Sequence, residues 1–397
     1  MYLVVNAGSS SLKTALFSGE KELVRCYYDR LHKDITWLRV TRASAKKETR
    51  SRVELNDAAH ALRHNIIYLV EQGFLKHHND IKVVVHRVVH GGEFYKKAVK
   101  ITEKVKQHIE ALSILAPLHN PHNLAAINAS EHLLNHAKQV AVFDTAYHQT
   151  IPPEAYRYGI PEELYEKHKI RKYGFHGTSH KFLASEAKRL CGAKKVITCH
   201  LGNGSSVTAN KNGKSIDTSM GFTPTDGLVM GTRSGALDPE VVIYLLRQIR
   251  YSPKRLHDFL NKESGMLGLT HFSSDVRDIW KEASTGKGDR QEDASLALLM
   301  LSYHIKCYVG EYAAILGGVD AIVFSGGIGQ NAWYIREDAL LGLDFLGIKL
   351  DEKKNKKAVE LKEMRMVHKT KSKVNILVIP ANEELQMVRE AKVLLRR

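Results

Sequence analysis

Apolar positions recur in short alternating runs at the start of the chain and again near its middle. Residues 2–16, YLVVNAGSSSLKTAL, read as an apolar strand through Asn6, a polar turn at Gly8–Ser11 and a second strand carrying Lys13. The patterning over residues 2–28 is that of a β meander. Near the middle comes the β-rich run Val196–Leu201, then a turn through Gly202-Asn203-Gly204-Ser205-Ser206. A second alternating run follows and breaks at Asn212-Gly213, a strong hairpin signal. Gly8-Ser9-Ser10 aligns on Gly204-Ser205-Ser206 at an offset of about 196 residues. Two such strand–turn–strand units, each opening about half the chain, predict a duplicated α/β domain.

Between and after these units the pattern predicts further elements. Residues 56–73 have helical amphipathic spacing, and Lys82–Val89 reads as a buried strand delivering His86, Arg87 and His90 to the Gly91-Gly92 turn. Gln139–Phe143 reads as a strand ending in Asp144. Gly174-Phe175-His176-Gly177 precedes a helix through Arg189, with His180 read as structural. Ala321–Phe324 is a strand that opens a helix, and Ile376–Pro380 is a strand followed by a final helix.

Several of these places invite chemistry. A strand ending in glycines and small hydroxyl residues leaves backbone N–H groups free to converge on a phosphate, although most such turns are only turns. The echo between the two halves turns this into an expectation: a nucleotide-phosphate enzyme of two similar lobes. Gly213-Lys214-Ser215 resembles the end of a P-loop, but Thr208 stands where that loop needs glycine. Arg87, at a strand end beside glycines, is either a structural ion-pair partner or a fork for a carboxylate or phosphoryl group. Asp144, at the carboxyl end of a strand, is either a helix cap or a site carboxylate. His119 and His122 have the spacing of a metal pair, but no third ligand follows, so no zinc site is expected.

Composition narrows the class. The chain has 397 residues with 43% hydrophobic content, enough for two domains with full cores. No 18-residue apolar run exists, because Glu311 and Asp320 interrupt the best stretch, so no membrane partner is expected. No secretory pattern precedes the first strand, and the 4 cysteines are scattered without metal spacing; a cytoplasmic protein is the expectation. The formal charge of +16 raises the question of nucleic acid, but no nucleic-acid-binding motif accompanies it. Charge alone gives non-specific affinity, and it also suits anionic small substrates.

Nine motifs, NAGSSSLK, HRVVHGGE, APLHNPHNL, FDTAYHQT, YGFHGTSH, HLGNGSS, MGTRSGALDP, FSGGIGQN and PANEE, resemble those of the acetate kinase family and fall in the family's order from Asn6 to Glu384. The resemblance implies an α/β fold of two duplicated actin-like ATPase (ribonuclease H-like) lobes with an active-site cleft between them. Residues 1–146 would form the N-terminal lobe, with 383–397 returning to it, and 147–382 the nucleotide-binding and dimerising lobe. The implied activity is reversible phosphoryl transfer between ATP and acetate, giving ADP and acetyl phosphate, with Mg²⁺ (or Mn²⁺) and a homodimeric state.

Carried over by motif, Arg87, His119, Asp144, His176 and Arg233 are the expected catalytic residues. Asp144 is assigned to ordering the site, since acetate is already ionised near neutrality. Arg87, Val89, Leu118, Phe175 and Pro224 are expected to bind the carboxylate and its methyl group. Lys13, His200, Leu201, Gly202, Asn203, Gly204, Asp275, Val276, Arg277, Gly327, Ile328, Gly329, Gln330 and Asn331 would hold the nucleotide. Gly327-Ile328 leaves room for adenine, against a pyrophosphate-dependent variant. Asn6 and Glu383 are the expected metal residues. Ala236, Thr225-Asp226 and Gln330 depart from the family pattern, and Ala236 is close enough in sequence to bear on Arg233. A propionate or other short-chain acyl kinase, and a non-catalytic actin-like nucleotide-binding protein, are the alternatives.

Overall fold

The structure is a computed structural model that describes residues 1–31, 35–44 and 48–396; Arg397, the end of the expected returning segment, lies outside them. The chain divides into two compact units, Met1–Gln149 with Asn382–Arg397, and Thr150–Ala381.

The first unit is built on an eight-stranded sheet of β1 (Tyr2–Ala7), β2 (Ser11–Ser18), β3 (Lys21–Asp29), β4 (Thr36–Arg42), β5 (Thr49–Val53), β6 (Val83–Val88), β7 (Val99–Lys100) and β8 (Lys138–Phe143), in the order β5-β4-β3-β2-β1-β6-β8-β7. β1 pairs antiparallel with β2 and parallel with β6, which pairs parallel with β8. Central β1 is apolar on both faces, as a strand covered on both sides must be. Leu3 and Val5 join Leu62, Ile66 and Leu69 of the helix Ala58–Glu71 in one core. Val4 points the other way, to Phe17, Val85 and Val140, and this core is closed by Met387, Val388 and Ala391 of the helix Glu383–Leu395. Asp57 caps the first of these helices by accepting from His60 N–H at 2.8 Å.

The second unit has a six-stranded sheet of β9 (Lys195–Leu201), β10 (Ser205–Lys211), β11 (Lys214–Thr218), β12 (Ala321–Ser325), β13 (Arg365–Met366) and β14 (Asn375–Val378), ordered β11-β10-β9-β12-β14-β13. β9 pairs antiparallel with β10 and parallel with β12, and β12 parallel with β14. The run β11-β10-β9-β12-β14 thus repeats the order and sense of β3-β2-β1-β6-β8. The duplication legible in the two Gly/Ser turns is a duplication of sheet topology. The helix Asp289–Leu316 lays Ala297, Leu301, Ile305, Val309 and Tyr312 on this sheet's core beside Ile197, Val207 and Phe324. The helix Gly177–Cys191 packs on β9 and β12.

Candidate active site

In the second unit, the β9–β10 turn holds itself open through its own small residues. Gly202 N–H donates to Gly204 O at 3.1 Å and to Ser205 Oγ at 3.2 Å, and Ser205 Oγ–H donates back to Gly202 O at 3.0 Å. The loop bearing Arg233 is locked onto this turn. Gly231 N–H donates to Asn203 O at 3.0 Å, and the missing Cβ leaves room for the Asn203 side-chain amide, which a larger residue at 231 would displace. Arg233 is half-buried and has no carboxylate within ion-pair distance among the described residues; desolvation lowers its pKa. Its Nη1 donates to Pro224 O at 3.4 Å.

His176 faces the same spot. It stands immediately before the helix Gly177–Cys191 with φ 56°, ψ 23°, a left-handed conformation uncommon outside glycine. Its Nδ1 lies 2.8 Å from Ser206 Oγ, and its ring centroid is 4.5 Å from that of His200, whose Nδ1 bonds Ser179 Oγ at 2.7 Å. A Cβ built on Gly204 would lie 3.4 Å from Arg233 Nη1 and 3.6 Å from His176 Nε2. Gly204 therefore leaves a methyl-sized place flanked by a guanidinium and an imidazole, a cradle for an anionic group.

A cleft of about 900 Å³ continues from this turn. Gly202, Asn203, Asp275, Val276, Arg277, Gly327, Ile328 and Asn331 line it, which brings together most of the residues expected to hold the nucleotide. Gly329 and Gln330 are not on its wall: Gln330 Oε1 accepts from Ala381 N–H at 3.2 Å, and Gly329 packs toward Cys199 O. Leu201 turns its side chain into the core. Asp275 caps the helix Val276–Thr285 and forks with Arg277 at 3.0 and 2.6 Å. Sequence reasoning missed the aromatic wall. Trp280 stacks on Tyr334 at 4.8 Å and 11°, Trp333 meets both edge-on, and Lys356 lies 4.7 Å over the Trp333 ring. Its signal was present: two of the chain's three tryptophans stand here, one just after FSGGIGQN.

In the first unit, parallel pairing of β6 with β8 sets Arg87 beside Asp144. Asp144 N–H donates to Val88 O at 3.0 Å, which fixes the carboxylate at the strand's carboxyl end. Arg87 Nε donates to both carboxylate oxygens at 3.0 and 3.1 Å, and Nη2 to Oδ2 at 2.6 Å. The fork expected to take substrate thus has one edge engaged by Asp144, which is 1% exposed. Burial pulls the Arg87 pKa down, but the charges of Asp144 and Glu383 outweigh it and hold the guanidinium above its ordinary value. Glu383, in the first turn of the last helix, is pushed up to about 7 by burial first and by Asp144 and Glu384, against Arg87 and Lys13. Asn6 sits opposite Lys13 in the β1–β2 register. His119 precedes the helix Asn120–Leu133, Val89 is buried with its N–H on Asn123 Oδ1 at 3.1 Å, and Leu118 is exposed. Phe175 and Pro224 belong to the second unit, where Phe175 is packed away from water.

The acetokinase family model matches residues 1–389. The chain is 48% identical to an acetate kinase of Thermotoga maritima over 98% of this chain and 97% of that one, and 46% identical to one of Caldicellulosiruptor saccharolyticus over 100% and 99%. The chain belongs to the acetokinase family. Its fold also matches the crystal structure of a Porphyromonas gingivalis acetate kinase, with a TM-score of 0.92 and 38% identity over 99% of both chains. A propionate kinase of Francisella tularensis matches with a TM-score of 0.90 and 39% identity over 98% of both.

A divalent cation is implied by this family. Among the described residues no group of three or more His, Cys, Asp or Glu is arranged to hold a metal. The two residues expected to hold it are nonetheless of the right chemical kind: the Asn6 amide oxygen and the Glu383 carboxylate are hard oxygen donors. A carboxyl with its pKa raised to about 7 gains from a cation that stabilises its ionised form. Such a set fits Mg²⁺, which takes one or two protein ligands and fills the rest with water and phosphate oxygens. Of the departures from the family pattern, Ala236 is exposed and donates its N–H to Gly227 O at 3.0 Å, and Asp226 Oδ1 accepts from Gly227 N–H at 2.8 Å. No helix among the described residues is long and apolar enough to cross a membrane.

Proposed function

We propose that this protein transfers the γ-phosphoryl group of ATP reversibly to acetate, giving ADP and acetyl phosphate by direct in-line displacement. The observation that carries the proposal is the cradle at Gly204. A half-buried guanidinium with no carboxylate within ion-pair distance among the described residues and a histidine held in a left-handed conformation converge on a place only glycine leaves open. Phosphoryl transfer asks the protein for positioning and charge neutralisation more than for covalent help, and Arg233 and His176 supply both to the equatorial oxygens. An acetate oxygen forms its bond to phosphorus as the bond to the ADP oxygen breaks. No proton has to move near neutrality, because acetate enters ionised.

Arg87, held in line by Asp144, binds the carboxylate. His119 contributes a further donor to the phosphoryl group, and Val89, Leu118, Phe175 and Pro224 are assigned to the methyl group. The cleft lined by Asp275, Arg277, Ile328 and Asn331 takes adenosine. Asn6 and Glu383, with Asp144 in indirect support, would hold Mg²⁺, which neutralises phosphate charge when bound; Mn²⁺ offers the same chemistry. The homodimeric state and a cytoplasmic setting belong to this reading as family expectations.

The test is acyl phosphate trapped with hydroxylamine, from acetate, propionate or butyrate with Mg-ATP. Strong product from acetate, lost in Arg87→Ala, supports the proposal. The similarity to a propionate kinase favours a second reading, in which propionate is the better substrate. One methylene is worth about 1–3 kcal/mol in a pocket, so the ratio of kcat/KM values decides between them. No product from any acid, with ATP still bound, would leave only a nucleotide-binding protein.

A further inference from the structure

Behind His176 lies a hydrogen-bonded chain that reaches no solvent. Ser206 Oγ lies 2.8 Å from His176 Nδ1 and 2.7 Å from His180 Nε2; His180 Nδ1 lies 2.7 Å from Thr198 Oγ1. Asn210 Nδ2 donates to Thr198 Oγ1 at 3.0 Å. Thr198, His180 and Ser206 are each 0% exposed. The fold builds the chain from two elements. His176 stands just before the helix and its C=O accepts from His180 N–H at 3.0 Å, which sets His180 one turn further on. Thr198 and Ser206 come from neighbouring strands, with Ser206 opposite His200 and Thr198 opposite Thr208.

With a neutral His180 the chain can be polarised in two ways. In the first, Thr198 O–H donates to His180 Nδ1, His180 Nε2–H donates to Ser206 Oγ, and Ser206 O–H donates to His176 Nδ1. The His176 proton then resides on Nε2. In the second, every donor reverses, and a neutral His176 keeps its proton on Nδ1. Thr198 distinguishes the two. In the second polarity its hydrogen is left, among the described residues, with Thr208 O at 3.5 Å, a poor bond; in the first it has His180 Nδ1 at 2.7 Å. The Asn210 amide fills one of the two acceptor sites of Thr198, which either polarity accommodates, so the choice rests on the donor side.

We propose that His180 is a positioning residue: through Ser206 it makes His176 Nδ1 an acceptor and so keeps the His176 proton on Nε2, a donor facing the Gly204 cradle. This rests on the reading that the cradle takes the phosphoryl group, but tautomer and activity are read separately. A phosphoryl oxygen is anionic and needs a hydrogen from His176, so the opposite tautomer would present it a lone pair. His180 touches no reacting atom in this account.

The test is ¹⁵N NMR of the full chain labelled at histidine, with His176 assigned by His176→Gln. Expected for the unsubstituted protein is an Nε2–H tautomer at His176. Ser206→Ala and His180→Leu should shift it to a mixture and lower kcat about 10²-fold, with KM for ATP and acetate within about threefold. His180→Gln, whose amide can still donate to Ser206, should restore the tautomer and most of kcat. An Nδ1–H tautomer in the unsubstituted protein overturns the proposal. So does an unchanged tautomer in a folded Ser206→Ala or His180→Leu variant, which would leave His180 a purely structural histidine. Absence of acyl phosphate from the unsubstituted protein, with the tautomer as expected, would instead sink the functional reading and leave the relay standing.

Discussion

Gly204→Ala adds one methyl group at the place where Arg233 and His176 converge. The added carbon would lie 3.4 Å from Arg233 Nη1, 3.5 Å from His176 Cε1 and 3.6 Å from His176 Nε2, all ordinary van der Waals contacts. Gly204 is not among the residues with positive φ, so alanine brings no backbone strain. Stability should change by no more than about 1 kcal/mol in either direction. Catalysis is a different matter. Donors must come within about 2.7–3.1 Å of the transferring oxygens, and a carbon in that place keeps the phosphoryl group away from both. Loss of one such donor lowers kcat about 10²–10³-fold, equivalent to roughly 2.7–4 kcal/mol, and a displacement of about 1 Å has an effect of similar size. The assay pairs hydroxylamine-trapped acyl phosphate with thermal denaturation of the same preparation. A variant that melts with the unsubstituted protein yet keeps kcat within about threefold of it would refute the reasoning, because the phosphoryl group then passes elsewhere.

Removing Asp144 leaves the Arg87 guanidinium without its buried counter-charge, so Asp144→Ala should destabilise the first unit by about 3–5 kcal/mol, read by urea denaturation or by hydrogen exchange in β6 and β8. Glu383 has a folded pKa of about 7 against an ordinary 4.5, so in the metal-free protein its contribution to stability is full below pH 4.5 and is lost as pH rises through about 7. Glu383→Gln should flatten that slope in denaturation curves recorded across the interval. The same proton competes with a cation, so Mg²⁺ affinity by calorimetry should fall about tenfold per pH unit below 7 and lose this dependence in Glu383→Gln. Adding ADP should quench fluorescence from Trp280 and Trp333 on the cleft wall; a signal that survives replacement of both by phenylalanine would place the nucleotide elsewhere.

The parts of the fold that the chain announces are those whose rules are local. Period-two patterning and the paired Gly/Ser turns disclosed β1, β2, β9, β10 and their duplication, because a strand covered on both sides has few other ways to read. Arg87 and Asp144 were both legible as strand-end residues. That each would occupy the other was not, since parallel register between strands 50 residues apart has no local signature. His180 looked structural because it lies within the start of a helix, and nothing local ties it to Thr198 or to Ser206 of the HLGNGSS turn, its partners on two strands. Trp280, Trp333 and Tyr334 were overlooked for a similar reason: aromatic residues in helices most often mark core, and only tertiary packing sets these three on a cleft.

The first unit's sheet is sealed by a helix from the far end of the sequence, and this orders events during synthesis. Thr150–Ala381 is contiguous and can fold as soon as it clears the ribosome. Met1–Gln149 cannot finish: Val4, Phe17, Val85 and Val140 wait for Met387, Val388 and Ala391. At about 5–20 residues per second the interval is on the order of 10–50 s. For that time, while the second unit is still being made, the first carries an apolar sheet face bare to solvent, the kind of surface that holding chaperones bind. Truncation before Glu383 should therefore cost solubility before it costs the fold of the second unit.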